Sequence, residues 1–291
     1  MAVKQAEIRI GISGWTYPPW RGVFYPKGLK QKDELPFAAR KFRTIEINGT
    51  FYGLQRPKSF DSWRDMTPEG FMFSVKAPRF ITHIQRLRGV EVSVANFLAS
   101  GLLRLGPKLG PILWQFPPSL KFDPEIFETF LALLPHDTEH AASLARKHDA
   151  RVNGRDWCET DHKRKLRHAV EIRHESFRDK NFIALLRRYK TALVCADTVE
   201  WPRLMDLTAD FIYCRLHGSE QLYASGYDSA ALDDWARRLR HWSQGDEPED
   251  AERAGGPARP RKTGREVFLY FDNDMKVKAP ANAAALVQRL S

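Results

Sequence analysis

Eight short apolar runs, spread along the whole chain and separated by loops and helical stripes, most constrain what this sequence can fold into. They fall at residues 8–13, 44–48, 71–76, 111–115, 168–173, 192–197, 211–217 and 267–272. Each is β-branched or aromatic and almost continuously apolar, the pattern of strands covered on both faces. Helical stripes lie between them. Phe127, Phe130, Leu131 and Leu134 share one helical face, behind a candidate N-cap at Asp123 and a proline at the first helical position. Leu232, Trp235, Leu239 and Trp242 make a second stripe, and Phe182, Leu185, Leu186 and Tyr189 frame a third over about 181–190. Strands that alternate with helices pair in parallel. Eight such units predict a single (β/α)8 TIM barrel of the α/β class, for which about 250 residues is typical.

The chain has 291 residues, so about 40 remain over. Two stretches account for them. Residues 136–168 are charged and carry no clear stripe, although 141–145 suit a short helix. Residues 244–265 are acidic, then basic, and rich in Pro and Gly, which reads as a disordered surface loop. Both precede a strand and are expected at the N-terminal face of the barrel. The domain reading is therefore one barrel over 1–291 with two decorated connections.

Composition narrows the function classes. Cys158, Cys195 and Cys214 are too few and too scattered for a disulfide framework or a CxxC metal site, which suits a reducing, cytoplasmic setting. The first ten residues carry no apolar h-region, and no run approaches the eighteen apolar residues of a membrane span. The formal charge of +10 favours an anionic partner, either a small molecule or a nucleic acid.

In a parallel barrel the active site lies at the C-terminal ends of the strands. Residues two apart on a strand face the same side. Glu46 and Asn48, Glu171 and Arg173, and Arg215 and His217 are such pairs, and the apolar residues between them belong to the helix-facing side. The polar members must then face the lumen. With Lys76 they form a candidate catalytic set: Glu46, Lys76, Glu171, Arg173, Arg215 and His217. Carboxylates and histidine suit acid–base chemistry, and fixed cations suit an anionic group. Buried Glu–Arg pairs also serve as structural cement in barrel interiors. Substrate-binding candidates at the same face are Trp15, Tyr17, Asn48, Thr50, Tyr52, His83, Gln115, His174, Tyr223, Asp272 and Asn273. Trp20, Phe24 and Tyr25 are expected in the core. Glu46, Glu171, Asp197, His174, His217 and Asp272 include donors for a divalent ion, but no local ligand spacing supports one. No metal residue is assigned, and a divalent cofactor stays open. Arg79, His83, Arg86 and Arg88, in the loop after the third run, could steer an anion into the mouth.

These residues resemble a known family. Gly11-Ile-Ser-Gly-Trp15 with Trp20 and Tyr25-Pro26, Glu46-Ile-Asn-Gly-Thr-Phe-Tyr52 with Trp63, and Phe73-Ser-Val-Lys76 with Ile81-Thr-His83 open the match. Leu113-Trp-Gln-Phe-Pro-Pro118, Glu171-Ile-Arg-His174, Arg215-Leu-His-Gly218 and Phe271-Asp-Asn-Asp274 with Asn282-Ala283 complete it, in order along the chain. The set resembles the YecE-like family, domain of unknown function family 72. The resemblance implies a TIM barrel of unestablished activity. By analogy with barrels like endonuclease IV and xylose isomerase, it also suggests DNA binding or phosphoester chemistry. The 136–168 and 244–265 stretches are longer than the family's usual connections. The histidine-rich metal cluster of endonuclease IV is not matched, since only His83, His174 and His217 fall in motifs.

Three functional expectations follow. The first is a hydrolase or lyase acting on an anionic, phosphoester or nucleic-acid-like substrate. In it Lys76, Arg173 and Arg215 bind the anion, Glu46 or Glu171 is the base, and His217 is the acid or base partner. The second is a glycoside-type hydrolase using Glu46 and Glu171, which requires that Glu171 not be locked to Arg173 or Arg215. The third is a nucleic-acid-binding module without catalysis, with affinity that falls steeply with salt.

Overall fold

A computed structural model describes residues 5–218, 222, 225–258, 261, 263–273 and 277–291. Eight parallel strands close into a barrel in sequence order. They are β1 (Ile8–Ser13), β2 (Thr44–Ile47), β3 (Met72–Lys76), β4 (Leu109–Gln115), β5 (His168–Glu171), β6 (Ala192–Asp197), β7 (Phe211–Leu216) and β8 (Glu266–Phe271). β1 pairs with both β2 and β8, with Ser13 opposite Glu46 and Ile12 opposite Phe271. The α/β barrel predicted from the eight runs is thus the fold observed.

Helices form the outer layer: α1 (Glu34–Lys41), α2 (Gly49–Tyr52), α3 (Pro57–Asp65), α4 (Glu91–Ala99), α5 (Pro124–Leu133), α6 (Thr138–Ala145), α7 (Lys180–Arg188), α8 (Ser229–Ser243) and α9 (Ala279–Leu290). Asp123 caps α5 by accepting from the Ile126 amide at 3.3 Å, and Pro124 opens the helix. Asp137, Asp179 and Asp228 cap α6, α7 and α8 in the same way. Among the described residues no helix is long and apolar enough to cross a membrane.

The strand alternation divides the apolar residues into two bodies. Ile10, Ile12, Ile45, Ile47, Phe73, Val75, Val170, Cys195, Cys214, Leu216, Leu269 and Phe271 face the helices. Trp20 and Tyr25 are buried in this body and Phe24 packs against it, as expected. Leu113, Ala169, Ala192, Val194, Ala196, Phe211, Tyr213, Phe268 and Tyr270 fill the barrel interior. Below this plug Arg9 lies on the Phe268 ring and Arg167 on the Phe211 ring, and both guanidiniums pair with Glu266. Above it the interior turns polar. Gly11 lets β1 and β2 approach so closely that an added Cβ would stand 1.9 Å from the Thr44 carbonyl oxygen.

The two long connections behave differently from the sequence expectation. The 136–168 stretch starts and ends at the N-terminal face, where Leu166 donates to the His136 carbonyl. Its middle does not stay there. α6 packs along α4, and Asn96 of α4 exchanges two hydrogen bonds with Asp149. Arg151 then reaches the Phe80 ring at 5.7 Å, beside the C-terminal mouth.

No helix lies between β6 and β7. Residues 204, 205 and 207 of that connection are buried directly on the strands. The 244–265 stretch, expected to be disordered, covers them where a helix would otherwise lie. The Glu252 carbonyl accepts from Met205, and Asp206 accepts from the Ala254 and Gly255 amides at 2.8 and 2.9 Å. Glu252 pairs with Arg178, Asp250 pairs with Arg238, and the Gly256 carbonyl accepts from Arg187. The polar composition that suggests disorder instead supplies partners for arginines on α7, α8 and the loop before α7. Asp206→Ala removes a buried acceptor of two amides. It is expected to cost about 1–3 kcal/mol in chemical denaturation and to open 246–258 to limited proteolysis; a variant as protease-resistant as the parent would contradict the anchoring.

Candidate active site

The end of β7 supplies the centre of the mouth. Arg215 is fully buried. Its guanidinium donates to Glu46 on β2, with Nη2 to Oε1 at 2.9 Å and Nε to Oε2 at 3.2 Å. It also donates to Glu171 Oε2 at 2.7 Å, Asp272 Oδ2 at 2.8 Å and Ser13 Oγ at 3.1 Å. Four strand ends are thereby tied to a fifth. Barrel closure brings these side chains together, since Glu46 and Glu171 lie 125 positions apart in sequence.

The carboxylates are further engaged. Glu46 accepts from Ser13 Oγ and Tyr213 OH, both at 2.5 Å. Glu171 Oε1 accepts from Arg173 at 2.7 and 2.8 Å. His217, also fully buried, sets Nδ1 3.1 Å from Asp272 and Nε2 3.6 Å from Glu171. Trp201 lies 3.8 Å from the Arg173 guanidinium and meets the His217 ring edge-on. Burial alone would raise the Glu171 carboxyl, but Arg215 and Arg173 outweigh it and hold it well below its ordinary value. Asp272 is lowered for the same reason, with Arg215 and His217 overriding burial.

Lys76 stands apart from this network. It faces the lumen from the end of β3, with its amine 4.3 Å from the Phe51 ring centroid. It has no hydrogen-bond or ion-pair partner among the described residues. Burial and then Arg215 lower its pKa to about 8, against the opposing pull of Asp272, Glu46 and Glu171. His83 is pushed down to about 4 by burial, Arg173 and Lys76, so its ring is neutral at pH 7. The Gln115 Oε1 and Asn48 Oδ1 acceptors are buried without a hydrogen-bond partner among the described residues.

Several expected roles are closed by this geometry. Glu46 and Glu171 have both oxygens occupied and no exposure, so neither is placed to act as a base on substrate. The glycoside-type reading fails on its own condition, because Glu171 is locked to both Arg173 and Arg215. Arg215 has no contact surface left for an anion. Thr50 spends its hydroxyl on the Lys76 and Ile47 carbonyls. His174 caps the next turn through Nδ1, which accepts from Ser176. Asn273 joins the Ser225 carbonyl to Asn282. Asp197, weighed as a metal donor, faces outward to Arg203 and Trp235. Metal coordination fits the mouth poorly, since the carboxylate oxygens converge on a guanidinium. Tyr223 lies outside the described residues.

The other candidates line the rim. Trp15 and Tyr17 border a groove of about 250 Å³ with Asn48, Gln55 and Trp63. Tyr52 borders one of about 180 Å³ with Phe51, Phe80 and Arg151. Ser13, Tyr213 and Trp201 were not singled out from sequence. Tyr213 shares the period-two face of Arg215 and His217, so the signal for it was present.

The comparisons fit this arrangement. The family described as "Protein of unknown function DUF72" matches residues 9–291. The chain belongs to the DUF72 family. Among curated members, UPF0759 protein YecE of Escherichia coli strain K12 is 33% identical over 110 residues, 38% of this chain and 38% of the relative. UPF0759 protein YunF of Bacillus subtilis is 31% identical over 122 residues, 38% of this chain and 40% of the relative. The matched region therefore spans about two-fifths of either relative. A crystal structure of a DUF72 family protein from Thermotoga maritima has a TM-score of 0.72 at 24% identity, covering 98% of this chain and 99% of that one. A second, from Enterococcus faecalis, has a TM-score of 0.66 at 19% identity, covering 98% and 99%. These structures share the DUF72 fold; no activity or substrate comes with them.

Arg215→Met would leave three buried carboxylates without their shared cation, an expected loss of about 3–5 kcal/mol by urea denaturation. Lowered carboxyl pKa values stabilise the fold above the unfolded value of about 4, and that contribution is lost as pH falls below it. In the variant the carboxyls become proton-seeking, so mild acidification should stabilise it relative to neutral pH. Equal stability and parallel pH profiles would contradict the network's role.

Proposed function

We propose that the protein is a hydrolase or lyase acting on an anionic substrate at the C-terminal barrel mouth. The observation that carries the reading is Lys76: a lumen-facing ammonium with no acceptor among the described residues, beside carboxylates that are already neutralised. In this reading Lys76 binds the anionic group, such as a phosphoester, while Trp201 and Glu171 hold Arg173 in place beside it. Gln115 and Asn48 accept hydrogen bonds from a substrate hydroxyl or amine. A lysine with a pKa of about 8 is mostly protonated at pH 7, yet loses its proton more readily than an ordinary lysine. It can therefore give a proton to a departing oxygen as the bond to it breaks. Glu46, Asp272, His217 and Arg215 are positioning residues here, fixing the electrostatics around Lys76.

The test is a screen of phosphomonoesters, phosphodiesters and single- and double-stranded DNA, with binding of inorganic phosphate measured alongside. Phosphate affinity should fall as pH rises through about 8. Lys76→Met should lower turnover at least about tenfold, the scale of one charge-assisted contact, while Lys76→Arg keeps phosphate binding and loses turnover. Full turnover in Lys76→Met would overturn the reading. DNA binding with a steep salt slope, no turnover and no response to Lys76→Met would favour a non-catalytic nucleic-acid module.

A further inference from the structure

Outside the mouth network, the 136–168 connection brings together His148, Asp156 and Cys158. Among the described residues, theirs is the grouping in which three His, Cys, Asp or Glu ligand atoms all lie within 4.8 Å of one another. Two features set it apart from a chance surface cluster.

The first is the orientation of the imidazole. His148 Nδ1 lies 3.0 Å from the Asp149 carbonyl oxygen, which can only accept, so Nδ1 carries a proton and donates it. Nε2 then faces Asp156 Oδ2 at 3.6 Å. That separation is too long for a good hydrogen bond. It is close to the separation of about 3.3 Å expected between nitrogen and oxygen ligands on opposite arms of a tetrahedral zinc ion, given zinc–ligand bonds of about 2.0–2.1 Å. A histidine that donates its other N–H to a carbonyl is also the usual way a metal-ligating ring is oriented.

The second is that both ligand-bearing segments are held by the same helix. Asn96 of α4 clamps Asp149, next to His148, through two hydrogen bonds of 3.1 and 3.0 Å. The carbonyl of Ala99, at the end of α4, accepts from Trp157, which lies between Asp156 and Cys158, at 2.7 Å. The Trp157 ring packs under Arg104 at 4.1 Å. The Asp156 carboxylate is itself aimed, since Oδ1 accepts from the Gly154 amide at 3.1 Å and Oδ2 is left toward His148. The ligands are thus fixed by contacts outside the set.

From this geometry we propose that His148, Asp156 and Cys158 form a zinc-class divalent metal site that fastens the 136–168 connection to α4. An imidazole nitrogen, a carboxylate oxygen and a thiolate are all ligands of zinc, and the soft thiolate favours zinc or cobalt over magnesium or calcium. Two anionic donors neutralise the ion's double charge, and all three side chains are only partly buried, which leaves a fourth position for water. The attachment of both ligand-bearing segments to α4 assigns the site a structural role, and the inference does not depend on the proposed activity.

The experiment uses the full chain, stripped by a chelator and titrated with cobalt(II) and zinc(II). One equivalent should bind per chain, with a thiolate-to-cobalt charge-transfer band and tetrahedral visible absorption, and zinc should displace the cobalt. Cys158→Ser should abolish the charge-transfer band, and His148→Ala should lower affinity for zinc at least about tenfold. Zinc should raise the melting temperature of the parent and not that of a variant combining Cys158→Ser and His148→Ala. No stoichiometric binding, or a charge-transfer band that persists in Cys158→Ser, would overturn the proposal. Unchanged circular dichroism in Cys158→Ser separates loss of metal from loss of fold.

Discussion

The buried guanidinium of Arg215 is the constraint around which the mouth is organised. Taking one charged group out of water costs several kcal/mol, and it is tolerated only where partners meet every donor. Arg215 meets Glu46, Glu171, Asp272 and Ser13. Each of those sits at the end of a different strand, so the cation can be satisfied only when the barrel is closed in its native register. A slip of one residue in β2 or β5 would turn a carboxylate toward the helices and leave a charge without its partner. The network therefore selects register as well as stabilising the fold, a role well suited to a buried polar cluster.

Beneath it, hydroxyl groups step the interior from polar to apolar. Tyr213 donates to Glu46, and Tyr270 bonds to Thr44 and Ser74 at 2.6 and 2.7 Å. Their rings join the apolar plug while their hydroxyls face upward, the amphipathic use of tyrosine. The plug isolates the mouth from the Arg9–Glu266–Arg167 cluster at the other end. The two charged layers are thus out of contact, although Tyr270 within the plug feels both Glu46 above and Arg9 below.

The fold was legible because strand and helix have different periods, and eight repeats of that contrast leave few topologies. The lumen-facing pairs were legible for the same reason: period two predicts that Glu171 and Arg173 share a face, and they are hydrogen-bonded. What period two cannot give is whether a partner is substrate or protein. Glu46 and Arg215 looked available until closure of the barrel joined them. Asp197 was misread as facing the mouth although its parity with Cys195, on the helix side, argues otherwise. Trp201 lies in an irregular connection with no period to read. The 244–265 stretch misled through composition, since its acids are matched to arginines on elements remote in sequence. The climb of 136–168 along α4 rests on Asn96, a buried polar residue of that helix, whose meaning appears only once Asp149 is beside it.

The chain's charge of +10 takes on a different meaning in this setting. Within the mouth, the described carboxylates Glu46, Glu171 and Asp272 stand against the cations Arg173, Arg215 and Lys76 in equal number. The basic excess therefore lies elsewhere, and a broad positive field is not what would hold a substrate there. In the proposed reading an anion is bound by local contact with Lys76, at short range and in a low-dielectric setting where such a contact is strong. Its arrival would add negative charge beside Lys76. That would raise the affinity of Lys76 for its proton and oppose its loss until negative charge builds on the leaving atom. In the proposed reading, binding and protonation are therefore coupled at one lysine, whose surroundings are set by the carboxylates that Arg215 gathers.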